Sequence, residues 1–151
     1  MLMVAKEIRI NNMIASDHCI RHFKTIRTKD HIYMIQEYAN CFDLQCLIDQ
    51  RTSLQQEEAR IVVRQIAKGV NHLASLNILH RDLKPANIML HFPDIPHFER
   101  LSSSEKLLFL KNVDLKETNF QVKIADFGLS TVLDPQSSVL SIVGTPLYQA
   151  P

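Results

Sequence analysis

The feature of this 151-residue chain that most constrains its fold is a run of eight residues that ends with an amide: His80, Arg81, Asp82, Leu83, Lys84, Pro85, Ala86 and Asn87. The run places a carboxylate, an amine and an amide close together in one loop. Further along, Asp126, Phe127 and Gly128 follow a short apolar segment. Hard cations such as Mg²⁺ prefer carboxylate and amide oxygens as ligands. A shared site therefore requires the fold to bring together Asp82 and Asp126, which lie 44 residues apart.

Composition argues against several classes of function. The 17 basic residues nearly balance the 16 acidic ones, so bulk charge would not drive binding to nucleic acid or to a membrane surface. Apolar runs such as residues 107–110 are far too short to span a bilayer, and the N-terminus carries no signal-peptide pattern. The three cysteines, Cys19, Cys41 and Cys46, form neither an even disulfide framework nor a C-x-x-C pair. We therefore expect a reducing, cytoplasmic location.

The pattern of apolar residues predicts helices and strands in a mixed order. A helix is predicted over residues 3–14, a strand over 31–38 and a short helix over 44–50. Ser53 and Gln56 have the spacing of a capping box and predict the start of a long helix behind them. Apolar residues recur along that helix every three or four positions, which predicts one buried face. Asn77 stands where the helix is expected to have ended.

Two short apolar segments flank the chemical residues of the chain. Residues 88–90 follow the eight-residue run and residues 121–124 precede Asp126, which predicts a paired hairpin beside the site. Between them lies an insertion of about residues 91–120, in which Ser102 and Glu105 can cap a short helix. Extra length in a loop costs little stability. We expect the insertion to be a tolerated surface loop, with a docking surface as the alternative.

The eight-residue run fits the pattern H-R-D-L-x-x-x-N of the protein kinase catalytic loop at every position, and Asp-Phe-Gly, Gly-Thr-Pro and Ala-Pro follow in the order of that family. The chain therefore resembles the eukaryotic protein kinases over almost all of its length. The resemblance implies an α+β, bilobal kinase-like fold that is present in part. Residues 1–38 would form the end of the N-lobe, from the family's helix C to the hinge strand. Residues 39–151 would form the first half of the C-lobe, with the catalytic loop, the insertion and the activation segment.

Phosphoryl transfer asks a protein mainly for positioning and for charge stabilisation. Asp82 is expected to accept or orient the proton of the attacking hydroxyl, and Lys84 to stabilise the transferring phosphate. Asn87 and Asp126 offer a neutral and a charged oxygen to Mg²⁺. The cofactors implied are therefore ATP and Mg²⁺.

The resemblance also assigns residues to the nucleotide. Gln36 matches the gatekeeper at the end of the hinge strand, and His80 and Phe127 match members of the apolar spine that links the two lobes. The positions matched to ATP binding are Glu37 and Ala39 through their backbones at the adenine, Asp43 at the ribose, Leu44 and Met89 around the adenine ring, and Glu7 of the family's helix C.

Other positions bear on the substrate and on regulation. Lys84 together with Thr145 resembles serine/threonine kinases, and Thr145 is expected to bond to Asp82 and Lys84. The implied partner is a protein substrate with Ser or Thr hydroxyls. Arg81 implies control by phosphorylation of the activation loop, because an arginine can pair with a phosphate. The candidate acceptor is Ser141, with Ser137 and Ser138 as alternatives, although these serines could also be ordinary loop polarity.

The amino-acid sequence around residues 6–10 and 122–128 is similar to that of the ULK/Atg1-type autophagy-initiating kinases, and calcium/calmodulin-dependent kinases share much of it.

Several motifs of the kinase family do not occur in the sequence. The only glycines are Gly69, Gly128 and Gly144, so there is no G-x-G-x-x-G loop, and no residue fits the phosphate-binding lysine well. Lys6 has the right neighbours but lies too close to the hinge.

These departures lead us to expect a fragment of a larger kinase, truncated at both ends, that binds ATP weakly and transfers no phosphate by itself. The alternative is a catalytically inactive, truncated kinase that acts as a protein-binding module. Asn11 takes a position that usually holds an apolar spine residue, and a buried amide there would need partners. The sequence leaves the oligomeric state open.

Overall fold

The structure is a computed structural model that describes residues 2–133 and 143–148. Its helices and strands, in chain order, are α1 (Leu2–Met13), β1 (His22–Arg27), β2 (Ile32–Gln36), α2 (Leu44–Arg51), α3 (Gln56–Ser75), β3 (Ile78–Leu79), β4 (Ile88–His91), α4 (Ser103–Asn112), β5 (Gln121–Ile124) and β6 (Thr131–Val132). Short 3₁₀ turns lie at Pro85–Asn87, Phe98–Arg100 and Pro146–Tyr148. The mixture of helices and small sheets confirms the predicted α+β class.

The described strands form three antiparallel pairs: β1 with β2, β3 with β6, and β4 with β5. The pairing of β4 with β5 is the hairpin predicted beside the site, with Ile88 opposite Ile124. Strand β1 was not predicted. Polar residues such as Lys24 and Arg27 interrupt it, and its residues are exposed or only partly buried, so it carries no clear alternation of apolar and polar side chains.

The long helix α3 positions the catalytic loop, because it ends just before that loop and packs against β5. The predicted capping box at Ser53 and Gln56 is wrong by two residues: the backbone N–H of Gln55 donates to the carboxylate of Glu58 at 3.2 Å. The predicted stop near Asn77 is confirmed. That residue has φ of 55°, a left-handed conformation that asparagine tolerates better than most residues.

Helix α3 approaches β5 closely at Gly69. A Cβ atom at this position would lie 2.7 Å from Cδ1 of Ile124 and 2.8 Å from the carbonyl oxygen of His18. Nearby, Gln65 uses its side-chain oxygen to accept a hydrogen bond from the backbone N–H of Val122 at 2.9 Å. The helix therefore fixes the strand that leads directly into Asp126.

The insertion is part of the core, and the expectation of a tolerated surface loop is wrong. The side chains of Phe92, Phe98 and Leu110 are fully buried, and Phe92 meets Phe109 in an edge-to-face contact with ring centroids 4.9 Å apart. Helix α4 starts as predicted, because Ser102 accepts from the backbone N–H of Glu105 at 3.3 Å. Apolar burial, which the spacing of these residues does not reveal, folds the segment onto α2.

A buried ion pair ties the end of the insertion to the helices. Arg51 in α2 lies 2.8 Å from the carboxylate of Glu58 at the start of α3. The same guanidinium donates through Nε to the carbonyl oxygen of Leu110 at 2.7 Å and through Nη2 to that of Val113. The insertion is therefore held at its carboxyl end by a charged residue outside it.

No helix in the described part of the chain is long and apolar enough to cross a membrane.

Candidate active site

Asp82 lies at the centre of a hydrogen-bond network that joins two distant parts of the chain. Its Oδ1 accepts from the backbone N–H of Thr145 at 2.9 Å and from the Thr145 hydroxyl at 2.6 Å. Its Oδ2 lies 2.8 Å from Nζ of Lys84, which also donates to the Thr145 hydroxyl at 2.9 Å. The contacts expected of Thr145 are therefore present.

The network sets the protonation state of Asp82, which is only 8% exposed. Burial by itself raises the pKa of this carboxyl group, but hydrogen bonds from Lys84 and Thr145 outweigh it and lower the pKa to about 2. Asp82 is consequently a carboxylate at neutral pH. Such a group can hold a hydroxyl in place by accepting its hydrogen bond.

The approach of the 143–148 segment to the catalytic loop depends on Gly144. This residue has φ of 107°, and a Cβ atom here would lie 2.2 Å from the carbonyl oxygen of Arg81. Only glycine meets both demands. The Gly144–Thr145 pair therefore brings the Thr145 hydroxyl to Asp82 by letting two backbones pass in close contact.

Asn87 is held by the 3₁₀ turn Pro85–Asn87 and faces Asp82. Its amide nitrogen donates to the carbonyl oxygen of Asp82 at 2.9 Å and to Oδ2 of Asp82 at 3.1 Å. Both hydrogen bonds use the amide nitrogen, and Oδ1 is the atom that is expected from the sequence to face Mg²⁺.

Asp126 follows β5 and is tied to the same loop through its neighbour. The backbone N–H of Ala125 donates to the carbonyl oxygen of Asn87 at 2.9 Å. Asp126 itself has φ of 63°, is exposed, and accepts from the backbone N–H of Gly128 at 3.2 Å. A left-handed aspartate is uncommon and is found where a structure constrains it. The hairpin thus joins the two predicted metal ligands, Asn87 and Asp126, through one backbone hydrogen bond.

These two residues have the chemistry that Mg²⁺ requires. Mg²⁺ keeps several waters and takes only one or two carboxylates from a protein, together with substrate phosphates. Across residues 2–133 and 143–148, no group of three or more His, Cys, Asp and Glu side chains could hold a metal ion. One amide oxygen and one carboxylate are a donor set that fits Mg²⁺.

His80 connects the catalytic loop to the turn at Asp126. Its Nδ1 accepts from the backbone N–H of Asp82 at 3.3 Å, which leaves Nε2 as the donor to the carbonyl oxygen of Ala125 at 3.0 Å. Its ring meets that of Phe127 at 5.2 Å in an edge-to-face arrangement. Burial lowers the pKa of His80 and keeps the imidazole neutral, as these two hydrogen bonds require.

Arg81, in the catalytic loop, is predicted to bind a phosphate group carried by the activation loop. It has φ of 68°, and its Nε donates to the carbonyl oxygen of Leu129 at 2.8 Å. The candidate acceptor Ser141 and its alternatives Ser137 and Ser138 lie outside the described residues. The regulatory role of Arg81 therefore stays a prediction.

The hinge is anchored by a buried lysine that the sequence did not single out. Lys123 in β5 is 3% exposed, and its Nζ lies 2.9 Å from the carboxylate of Glu37 and 2.9 Å from the carbonyl oxygen of Asp17. Glu37 also donates its backbone N–H to Arg21 at 2.8 Å. A lysine within an apolar strand could have indicated a buried ion pair. The sequence does not identify its partner, because Glu37 lies far from Lys123 along the chain.

The other predicted nucleotide residues lie around the hinge and β4. Ala39 is buried, and no described group bonds to its backbone N–H or carbonyl. Asp43 forms an antiparallel bridge with Met89, which brings the expected ribose and adenine positions together. Its Oδ1 accepts from the backbone N–H of Cys46 at 2.8 Å and caps α2. The sequence did not suggest this cap, and the contact of Asp43 with a ribose stays a prediction.

Helix α1 carries Glu7 towards Asp126. Burial and the negative charge of Asp126 both raise the pKa of Glu7, and no ion pair to it is present in the described ranges. Lys6, which the sequence places too close to the hinge to be the phosphate-binding lysine, is exposed and lies on α1 rather than on a strand. The buried amide of Asn11 does find partners: it donates to the Glu7 carbonyl at 3.0 Å and accepts from Gln36 at 3.2 Å.

Comparison with families of known proteins matches residues 2–151 to the protein kinase domain. The chain therefore belongs to the protein kinase family. It is 31% identical over 99% of its length to the SNF1-related protein kinase catalytic subunit alpha KIN12 of Arabidopsis thaliana. It is 32% identical over 97% of its length to the serine/threonine-protein kinase ATG1a of the same plant, and 30% identical over its full length to the NUAK family SNF1-like kinase 1 of Mus musculus.

The chain spans a quarter or less of the length of these relatives: 25% of the first, 20% of the second and 19% of the third. They are named for different kinase groups at nearly the same identity. The resemblance to ULK/Atg1-type kinases is therefore one of several and stays a prediction.

Proposed function

We propose that this chain supplies the hinge, catalytic loop and metal-binding residues of an ATP-dependent protein serine/threonine kinase. The observation that carries the proposal is the contact of the Thr145 hydroxyl with both Asp82 and Lys84. It links the segment that would hold a peptide substrate to the groups that would act on its hydroxyl. The similarity to the serine/threonine-protein kinase ATG1a of Arabidopsis thaliana supports the same function.

In the proposed reaction, a Ser or Thr oxygen of the protein substrate bonds to the γ-phosphorus of ATP as the bond to the β-phosphate oxygen breaks. Asp82 accepts the hydrogen bond of the attacking hydroxyl and receives its proton. A pKa of about 2 makes Asp82 a weak base, so orientation comes first and the proton leaves late, when the oxygen has bonded to phosphorus. Lys84 places a positive charge beside the transferring group.

We assign Mg²⁺ to Oδ1 of Asn87 and the carboxylate of Asp126. When bound, the ion would neutralise charge that develops on the phosphates. The adenine would lie against the backbone of Glu37 and Ala39, between Leu44 and Met89, with Asp43 at the ribose. Glu7 would pair with the phosphate-binding lysine of the family, for which no residue of this sequence is a good fit.

We also propose a cytoplasmic location and a protein partner with Ser or Thr hydroxyls. Free thiols support a reducing compartment, since Cys19, Cys41 and Cys46 are all unpaired. Burial raises the pKa of Cys19 and of Cys41 to about 11, so both stay protonated and unreactive.

Nucleotide binding is tested by calorimetric titration of the chain with adenosine and with ATP in the presence of Mg²⁺. Asp126→Asn should leave adenosine binding unchanged and weaken Mg²⁺-ATP binding roughly tenfold or more, because a charged ligand of the ion is lost. Asp114→Asn, which changes an exposed carboxylate of the insertion, is the matched control. Equal binding of Mg²⁺-ATP by the wild type and Asp126→Asn would remove the metal assignment.

Phosphoryl transfer is tested with the full-length gene product on peptides that differ only in a Ser, Thr or Tyr acceptor. We expect transfer to Ser and Thr and a loss of about 10³-fold or more in Asp82→Asn. The 151-residue chain alone should give no turnover. Turnover by that chain which Asp82→Asn abolishes would contradict this expectation.

The second candidate function is that of an inactive, truncated kinase that binds proteins. The carboxylate of Glu7 favours it, because among the described residues no cation pairs with it. This reading predicts no binding of ATP or adenosine in the titration above, together with retained binding of a protein partner by Asp82→Asn.

A further inference from the structure

The hydrogen-bonding groups of Asn40, the residue that follows Ala39 in the hinge, are engaged by the start of the inserted segment. Its backbone N–H donates to Nδ1 of His91 at 3.3 Å. Its side chain exchanges two hydrogen bonds with the backbone of Phe92, of 2.9 and 2.8 Å. Its carbonyl oxygen accepts from Nζ of Lys106 in α4 at 2.8 Å.

These contacts act directly on the peptide unit proposed to meet the adenine. The carbonyl of Ala39 and the N–H of Asn40 belong to one planar unit, so the bond to His91 fixes the direction of that carbonyl. The bond from Lys106 fixes the next unit. The chain leaving Ala39 is thus held on both sides by residues of the 91–106 segment.

Lys106 is an unusual residue to find in this position. It is 8% exposed, lies 5.5 Å from the centre of the Phe98 ring, and forms no ion pair with any described carboxylate. Removing an ammonium group from water is costly when no carboxylate compensates for it. A carbonyl oxygen and an aromatic face recover part of that cost only in a fixed geometry.

We infer that Lys106 is a positioning residue for the nucleotide, and that the insertion is a structural part of the adenine site. The inference rests on the proposed function, because it assumes that Ala39 binds adenine. It assigns to the insertion a role that neither a surface loop nor a docking surface would have: to hold the hinge in the conformation that accepts the base.

The test uses the whole chain, uniformly labelled with ¹⁵N, and the variants Lys106→Met and Lys106→Arg. Lys111→Met is the control, since Lys111 lies exposed on the same helix. The amide signals of Ala39 and Asn40 report the hinge without any ligand. Titrations with adenosine and with Mg²⁺-ATP report binding of the base alone and of the whole nucleotide.

We expect Lys106→Met to shift the hinge amide signals and to weaken adenosine and Mg²⁺-ATP by the same factor, roughly tenfold, as for loss of a hydrogen bond to a charged group. Lys106→Arg, which keeps a donor, should recover most of the affinity, and Lys111→Met should match the wild type. If Lys106→Met does not fold, Lys106→Gln replaces it, because the shorter amide cannot reach Asn40.

Unchanged hinge amide signals in Lys106→Met would overturn the inference whatever the nucleotide does. Shifted signals with unchanged adenosine affinity would also overturn it, and would leave the proposed kinase function standing. A wild-type chain that binds neither adenosine nor Mg²⁺-ATP would instead reject the proposed nucleotide site, and the inference with it.

Discussion

At the scale of single residues, Thr145 is partly exposed but forms several of the hydrogen bonds that hold the site together. Its backbone N–H and hydroxyl both donate to Oδ1 of Asp82, and the hydroxyl also accepts from Lys84. Because Asp82 is buried, each donor stabilises its charged form. Thr145 therefore affects the acidity of Asp82 as well as the position of the segment that follows Gly144.

Replacing Thr145 with valine keeps the backbone hydrogen bond but removes the hydroxyl. We expect the pKa of Asp82 to rise towards its ordinary value of about 3.9 and the free energy of unfolding at neutral pH to fall by about 1–3 kcal/mol. NMR titration of the Asp82 carboxyl carbon and urea unfolding measure the two effects. Thr145→Ser keeps the hydroxyl and should resemble the wild type.

The pH dependence has a definite sign. The pKa of Asp82 is lower in the folded protein, about 2, than in the unfolded chain, so its contribution to stability is present above about pH 4. That contribution is lost as the pH falls through the folded pKa. The difference in stability between the wild type and Thr145→Val should therefore narrow at low pH. A difference that grows on acidification would contradict this assignment.

At the scale of elements, the insertion depends on the pair of Arg51 and Glu58. The guanidinium holds the last turn of α4 through the carbonyl oxygens of Leu110 and Val113, while Glu58 accepts from the backbone N–H of Leu115 at 3.3 Å. Burial raises the pKa of Glu58, but the hydrogen bonds from Arg51 and two backbone N–H groups lower it overall. One ion pair thus joins α2, α3 and the end of the insertion.

Arg51→Met would leave Glu58, which is 4% exposed, as a buried carboxylate without its cation. We expect the free energy of unfolding to fall by about 3–5 kcal/mol, measured by urea unfolding. Arg60→Met removes an exposed arginine from α3 and should change stability by less than about 0.5 kcal/mol. Adding Glu58→Met to Arg51→Met should recover part of the loss. A double variant no more stable than Arg51→Met would count against the ion pair as the cause.

The elements also show where prediction from sequence succeeds. Helix α3 was predicted from its periodic apolar residues, and the hairpin of β4 and β5 from two apolar runs beside the motifs, because these signals are local. The pairs Lys123–Glu37 and Lys106–Asn40 were not predicted, since each joins residues far apart in sequence. The cap at Ser53 failed because Glu58 bonds to Gln55 instead.

At the scale of the whole molecule, an apolar groove runs between the end of α3 and the 143–148 segment. Its lining includes Val70, Leu79, Leu133 and Tyr148, which are between 37% and 49% exposed. The periodic apolar residues of α3 predicted a buried face, but Val70 of that set is 37% exposed and lies in this groove. Exposed apolar area of this kind favours association.

We therefore expect the purified 151-residue chain to associate as its concentration increases. Val70→Lys places a charge in the groove and should shift the sedimentation profile towards the monomer. Leu108→Lys is the control, because Leu108 is 63% exposed on α4 and lies away from the groove. If both variants sediment like the wild type, or if the wild type is monomeric at every concentration, the groove is not an association surface.

The contacts of Asn40 have a consequence for how this sequence can change over evolutionary time. A loop inserted at a hairpin is dispensable while it only extends into solvent, and deletion restores the shorter connection. Once the hinge takes its hydrogen bonds from His91, Phe92 and Lys106, deleting the segment would leave Asn40 with unsatisfied buried groups. The segment would then be hard to lose, and substitutions in α4 would be constrained by their effect on the conformation of the hinge as well as on the insertion itself.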